Sequence, residues 1–285
     1  MKIETKTKDS YNRIEHNHIG AVGNQVIEIN DIISWLEDRG HKAGVSRYSR
    51  YLDYIKDFQL KPDKDGEMKI LLPSDLEELY KKADKAILEI MQLKWVYKAF
   101  KNIESRGFDD RLDKIVSGKD FYTGGSQDSA RDFLYELVVA AWLANKGYVI
   151  DFDSPDNTDV VGKRDNTDIY IECKRLKSVN KYEENYRKGC KQLKKISGCD
   201  SAIKLVYVDI YNCISDQLKP YEYTDITDIE KTVRCAMRVG FISENQKLTD
   251  KIQTDQDVDG VVFTSISNFG VNSSLGIENA ILDRK

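Results

Sequence analysis

The sequence predicts an α/β protein: an all-α N-terminal region over 1–120, then a domain over 121–285 built on a mixed central sheet. Three observations carry this reading. A long apolar stripe at helical spacing follows Pro73, the character of the chain changes near residue 125, and beyond that point short β-rich runs alternate with helical segments.

In the N-terminal region, Val26, Ile29, Ile33 and Leu36 recur at helical spacing, and a second, aromatic-rich helix is expected from about Val45 to Phe58. The polar stretch around Pro62 and Gly66 reads as a loop. After Pro73, Ser74 and Glu77 form a capping box that opens a helix to about Ser105, with Gly107 as its stop. Along it Leu76, Leu79, Ala83, Ala86, Ile90, Leu93, Tyr97 and Phe100 alternate steps of three and four. Such a stripe serves either a homodimer or partner contact, or packing against the two upstream helices.

The second domain opens at Gly124-Gly125-Ser126 with a helix from about Gln127 to Asn145, ended by Gly147. Strands are expected at Tyr148–Phe152, Asp159–Val161, Asp168–Lys174, Ile203–Tyr211 and Val258–Ile266. A basic helix, about Tyr182 to Ile196, lies between the third and fourth, and another near Thr227 to Val239.

Composition bounds the function. No apolar run approaches the roughly 20 residues needed to span a bilayer, and the first residues lack the apolar core of a signal peptide, so the chain is expected in the cytoplasm with no membrane partner. Five cysteines without a CxxC pair encode neither a disulfide framework nor a cysteine zinc site. The net charge is −4, with 44 Lys and Arg against 48 Asp and Glu, which by itself disfavours a polyanionic partner. The charge is unevenly distributed. From Lys163 to Lys204 there are twelve basic and six acidic residues, 12 − 6 = +6, and Arg187, Lys188, Lys191, Lys194 and Lys195 concentrate on one helix, a cluster able to neutralise phosphates.

Chemistry-bearing residues gather around the second and third strands. If the polar segment Gly162 to Thr167 turns at Asp165 and Asn166, antiparallel pairing sets Asp159 opposite Glu172. Two carboxylates about 5 Å apart at their Cβ atoms repel unless a cation sits between them. Strand alternation turns Ile169, Ile171 and Cys173 to one face and Tyr170, Glu172 and Lys174 to the other. Hard oxygen donors at this density suit Mg²⁺ or Mn²⁺ rather than zinc, and His16, His18 and His41 lie far upstream. Glu136 lies beside the stripe of the preceding helix, sharing a face with Phe133, Ala140 and Leu143. There a carboxylate needs a metal or a basic partner.

Glu136 on a helix, Asp159 opening a short strand and Glu172-Cys173-Lys174 ending the next resemble the PD-(D/E)xK nuclease superfamily, the restriction-endonuclease-like fold, over roughly residues 125 to 215. The twelve residues between Asp159 and Glu172 are similar to the compact hairpin of its Holliday-junction resolvase-like and Mrr-like members, and Gln192 looks like the polar residue many members carry on the next helix. The literal Pro-Asp pair is Pro155-Asp156, which makes Asp156 an alternative ligand, but Asp159 is favoured because it can pair across from Glu172 whereas Asp156 would lie beyond the strand. The resemblance implies a metal-dependent endonuclease acting on DNA, as in restriction, anti-phage defence or repair. Asp159, Glu172 and the Cys173 carbonyl would hold Mg²⁺ or Mn²⁺, Glu136 would bind the metal or its waters, and Lys174 would orient the attacking water. Gln192 and the basic residues Arg187, Lys188, Lys191 and Lys195 would contact nucleic acid. RNA cleavage by the same fold and a non-catalytic assembly module using the long helix are the competing expectations.

Overall fold

The computed structural model describes residues 13–17, 22–58, 74–120, 129–196, 202–217, 231–233, 235–247, 258–269 and 274–283. Packing divides the chain into two units: residues 20–147, whose described elements are all helices, and residues 1–19 with 148–285, which contain the sheet. The helix that ends at Asn145 therefore groups with the helical unit, and the division lies after the boundary near residue 120 read from the sequence.

In the helical unit, α1 spans Val22–Asp38, α2 Arg47–Phe58, α3 Ser74–Phe100, α4 Arg106–Val116 and α5 Ser129–Asn145. Ile29, Ile32 and Leu36 are buried on α1, so Ile32 rather than Ile33 completes its core stripe. The helix expected to run to about Ser105 ends five residues earlier, and a further helix that the sequence did not reveal begins where it was expected to stop. The chain leaves α3 at Phe100, and Ser105 caps α4 by accepting the Phe108 N–H at 3.2 Å. Gly107 lies in the first turn of α4 and stops nothing. On α3, Ala83, Ala86, Ile90, Leu93 and Phe100 are buried, and the helix packs against α1, α2 and α5. The stripe thus serves packing inside the unit. The side chains of Val26, Ser74, Leu76, Glu77 and Leu79, the Pro62 loop and residues 124–127 lie outside the described residues. α5 is not one-sided: every residue from Leu134 to Ala141 is buried, and Gly147 beyond it takes a left-handed φ of 84°.

The second unit is one seven-stranded sheet in the order β1-β7-β6-β5-β4-β3-β2. Its strands are β1 Arg13–Asn17, β2 Val149–Ile150, β3 Val160–Arg164, β4 Thr167–Arg175, β5 Ile203–Asp209, β6 Gly260–Phe269 and β7 Ser274–Asp283. The β4–β5 and β5–β6 pairs are parallel and the rest antiparallel, so the sheet is mixed as expected. The five strands read from the sequence form one side of it. β1 and β7 were not legible, because neither segment has strong alternation or β-branched enrichment and each is a strand by virtue of its neighbour.

The hairpin between β3 and β4 is tighter than expected. Pairing continues to Arg164↔Thr167, leaving only Asp165 and Asn166 in the turn, and Asp165 accepts the left-handed conformation (φ 54°) that Asp tolerates better than most residues. After β4, α6 (Tyr182–Leu193) provides the crossover that a parallel β4–β5 pair requires, and it packs on both strands. Its buried Tyr182, Tyr186, Cys190 and Leu193 meet Tyr170, Val206 and Val208 from the sheet. Tyr182, Phe241 and Phe263 complete this core as three mutually contacting rings, with centroids 5.4 to 5.5 Å apart. Phe241 belongs to a π-helical segment, Ala236–Ser243, where the sequence led us to expect an ordinary helix. Among the described residues no helix is long and apolar enough to cross a membrane.

Candidate functional site

Pairing of β3 with β4 sets Val160 against Ile171. One step further along the same antiparallel register brings Asp159 opposite Glu172, so the turn length determines which acids meet. Asp159 lies just before β3. Its Oδ2 accepts the backbone N–H of Cys173 at 2.8 Å, tying the aspartate to β4. The same oxygen lies 3.3 Å from Lys174 Nζ, and Lys174 also donates to Glu172 Oε2 at 2.7 Å. Three residues that the hairpin separates by 13 to 15 positions or adjoins on one strand thus share a single ionic cluster. Of the two candidate aspartates, Asp159 is the one whose carboxylate meets Lys174 and Cys173.

The cluster is graded in exposure. Glu172 is inaccessible to solvent, whereas the side chains of Lys174 and Asp159 are 14% and 21% exposed, so the cluster opens to water on their side. The cover over Glu172 comes from α6. Glu172 and Val206 are register partners on β4 and β5, and Gly189 sits over that pair: a Cβ at Gly189 would lie 3.2 Å from both Val206 methyls and 3.5 Å from Glu172 Cβ. A glycine inside a helix is unfavourable by roughly 0.5–1 kcal/mol relative to alanine, and here close approach of the helix backbone to the sheet accounts for it. Sequence reasoning missed Gly189. The signal was available, since a glycine in the middle of a helical segment asks for a packing reason.

Burial pushes the Glu172 carboxyl up to about 8, and the neighbouring Asp159 charge adds to the effect while Lys174 opposes it. Lys174 moves the other way from the usual buried lysine. Burial acts to lower it, but the Asp159 and Glu172 charges outweigh burial and hold the ammonium above its ordinary range. The second carboxylate oxygen of Glu172, Oε1, is buried with no hydrogen-bond partner. An ionised carboxylate with an unsatisfied buried oxygen is costly, and a hard cation is the partner that would relieve it.

This donor set fits a divalent ion of the magnesium type. Asp159 and Glu172 offer carboxylate oxygens, and the backbone carbonyl of Cys173 lies between Glu172 and Lys174 on the strand. Among the described residues no group of three or more His, Cys, Asp or Glu side chains converges on one point. An ion here would therefore take one or two carboxylates and complete its shell with carbonyl, water or substrate oxygens, as Mg²⁺ commonly does. The Cys173 side chain is buried, as expected of a packed thiol.

The remaining expected residues fall in three places. Glu136 belongs to the helical unit, where it is buried on α5 and its Oε2 lies 3.5 Å from Arg111 Nε, the basic partner that a buried carboxylate requires. Gln192 is half-buried near the end of α6. The basic cluster on α6 is partly neutralised within the helix: Arg187 pairs with Glu183 and Lys188 with Glu184, both at 2.7 Å and four residues apart, and Lys181 also reaches Glu184 at 2.8 Å. Among the described residues Lys191 and Lys195 are exposed and enter no such pair. The chain matches no family model, and no curated protein matches it.

Proposed function

We propose that the sheet unit is the catalytic part of a Mg²⁺- or Mn²⁺-dependent endonuclease of the PD-(D/E)xK kind, hydrolysing phosphodiester bonds of DNA. One observation carries the reading: at the end of the β3–β4 hairpin, Asp159, Glu172 and Lys174 form one ionic cluster around a fully buried carboxylate that keeps an unpartnered oxygen. A structural salt bridge would be expected to satisfy that oxygen.

Asp159 and Glu172, with the Cys173 carbonyl, would hold the ion, which when bound supplies charge neutralisation and a lowered pKa for a coordinated water. Lys174 is held charged and partly exposed, so its ammonium is poised to orient the attacking water and to stabilise the negative charge that grows on the phosphoryl oxygens. The Cys173 N–H bond to Asp159 fixes the aspartate rotamer, and α6 fixes Glu172 from above through Gly189. Both carboxylates are thereby organised before substrate arrives. Lys191 on α6 and Lys195 in the turn just beyond it, together with Gln192, would meet the sugar-phosphate backbone, giving a sequence-independent and salt-sensitive contribution to affinity.

The deciding experiment is incubation of the full chain with supercoiled plasmid and, separately, with RNA, each in Mg²⁺, Mn²⁺ or EDTA. Metal-dependent nicking or linearisation of plasmid is the expected result. Cutting of RNA alone would move the substrate class to RNA, and no cleavage of either under any metal would sink the reading.

A further inference from the structure

We propose that Asp209 is a positioning residue of the candidate site: it anchors the end of β4 and, through that strand, fixes where Lys174 stands. The inference rests on the nuclease reading of Asp159, Glu172 and Lys174.

Asp209 is a buried carboxylate to which the chemistry proposed above gives no part. It ends β5, and the parallel register sets Val208 beside Lys174 and Asp209 beside Arg175. Alternate residues of a strand face opposite ways, so Asp209 and Arg175 stand on the face of the sheet away from Lys174. Asp209 therefore acts through the strand and not on the substrate.

Its contacts join the end of β4 to the next element. Asp209 Oδ2 accepts from Arg175 Nε at 3.4 Å, and the Asp209 carbonyl accepts the Leu176 N–H at 2.9 Å. Oδ1 accepts the Tyr211 N–H at 3.0 Å, which holds the start of α7 (Tyr211–Ile214). From α7, Asn212 Nδ2 donates back to the Leu176 carbonyl at 3.1 Å. Both backbone polar groups of Leu176 are thus engaged, one by Asp209 and one by the turn that Asp209 holds. The end of β5 is tied to β6 in turn, since the Ile210 N–H donates to the Thr264 carbonyl at 2.8 Å.

The place of this clamp gives it a consequence for the site. On the other side of Lys174, the Cys173 N–H is bound to Asp159, so the lysine lies between two fixed points three residues apart. Beyond Leu176 the chain runs through residues 177–181, all of them exposed. A strand end that opens into an exposed loop is drawn from the low-stability part of a fold. Displacing a catalytic group by about 1 Å can cost on the order of 10²-fold in rate. The ammonium that orients the attacking water needs a strand that does not fray, and Asp209 closes the clamp that prevents it.

The test uses variants of the full chain, read by plasmid-cleavage kinetics in Mg²⁺, Mn²⁺ calorimetry and hydrogen exchange. Asp209→Asn keeps an acceptor for the Tyr211 N–H and removes the charge beside Arg175. It should lower kcat about tenfold, less than a full ångström of displacement would. KM and Mn²⁺ affinity should stay unchanged, the pattern of an interaction made only in the transition state. Asn212→Ala, at an exposed position that spares the core, should lower kcat by a smaller factor. In the Lys174→Ala background neither change should reduce the residual rate further, because both act through that lysine; a loss that reflects stability alone would be the same in both backgrounds. Amides of residues 173–177 should exchange faster in both variants while those of β6 stay protected. Where Asp209→Asn does not fold, Asn212→Ala decides. A wild type that cuts, combined with unchanged kcat in the variants, losses that recur in Lys174→Ala, or unaltered exchange at the end of β4, would overturn the role of Asp209 and leave the nuclease reading standing. A wild type that cuts neither plasmid nor RNA overturns both.

Discussion

The Lys174 ammonium lies 2.7 Å from Glu172 Oε2, so a carboxylate that solvent does not reach is held against a cation two residues further along the same strand. The pair contributes both the charge that would retain a metal and the charge that would assist attack on phosphorus, and the two roles are separable by substitution. Lys174→Ala should lower the cleavage rate about 10²- to 10³-fold, the usual loss for one preorganised donor at a developing oxyanion, while Mn²⁺ affinity measured by calorimetry stays the same or rises, because a competing cation has left the carboxylates. Unchanged cleavage would remove Lys174 from the site. Glu136→Gln, made in the same series, isolates the Arg111-paired carboxylate of α5, and a matching loss of cleavage would bring it into the catalytic set.

Glu172 makes the site pH-sensitive. Burial, reinforced by Asp159, raises its carboxyl from 4.5 to about 8, so the folded protein without metal keeps a proton there that the unfolded chain releases near 4.5. Metal must displace that proton. Mn²⁺ affinity should therefore climb between pH 6 and 8 and level off above, with close to one proton released per ion below pH 7 in calorimetry across buffers of different ionisation enthalpy. A flat profile would count against Glu172 as a ligand.

The same shift has a consequence for stability in EDTA. Between the unfolded and folded values the native state binds more protons, so the contribution of Glu172 to stability is full below about pH 4.5 and falls as pH rises towards 8. Glu172→Gln removes that dependence. Relative to wild type, the variant should gain stability on going from pH 5 to pH 8, on the order of 1–3 kcal/mol in urea unfolding. A difference independent of pH would contradict the raised carboxyl.

Gly189 should tolerate almost nothing larger than alanine. A Cβ already meets Val206 at 3.2 Å, so Gly189→Ala sets a small packing strain against the better helix propensity of alanine and should come out near neutral. Gly189→Val adds methyls into the space above Glu172 and should destabilise by about 1–3 kcal/mol, as overpacking of a core usually does. Circular dichroism melts decide this, and a neutral valine would mean that α6 is not seated as described.

The basic residues of α6 should contribute unequally to nucleic-acid binding. Arg187 and Lys188 already satisfy Glu183 and Glu184, so replacing either by alanine frees an acid and only partly lowers the local positive charge. Lys191→Ala with Lys195→Ala should weaken DNA binding and reduce the steepness of its salt dependence by about one phosphate contact per residue removed. Filter-binding titrations over a range of salt distinguish the two pairs, and equal effects would show that the intrahelical ion pairs do not matter.

Much of this protein is readable in one dimension because its signals are local. Apolar spacing placed α1, α2 and α5, β-branched runs placed β2 to β6, and the polar turn at Asp165-Asn166 set the register that carries Asp159 to Glu172. The sequence alone therefore determined an α/β chain with a helical N-terminal portion, a mixed sheet and a candidate pair of acids beside a lysine. What it left open depends on contacts between distant segments. The register already favoured Asp159 over Asp156, and the tertiary structure adds the bonds that tie Asp159 to Cys173 and Lys174 across the hairpin. Only the tertiary structure revealed β1 and β7, which become strands by pairing with each other and with β6 rather than through their own propensity. It also decided that the α3 stripe is covered within the helical unit and that Gly189 is the point where α6 seals Glu172 from water. It buried Arg47 beside Glu89 with Nη1 left without a hydrogen-bond partner, a condition no spacing rule signals. Local periodicity specifies which face of an element is apolar; which partner covers that face, and which charge is left without one, is set by long-range packing.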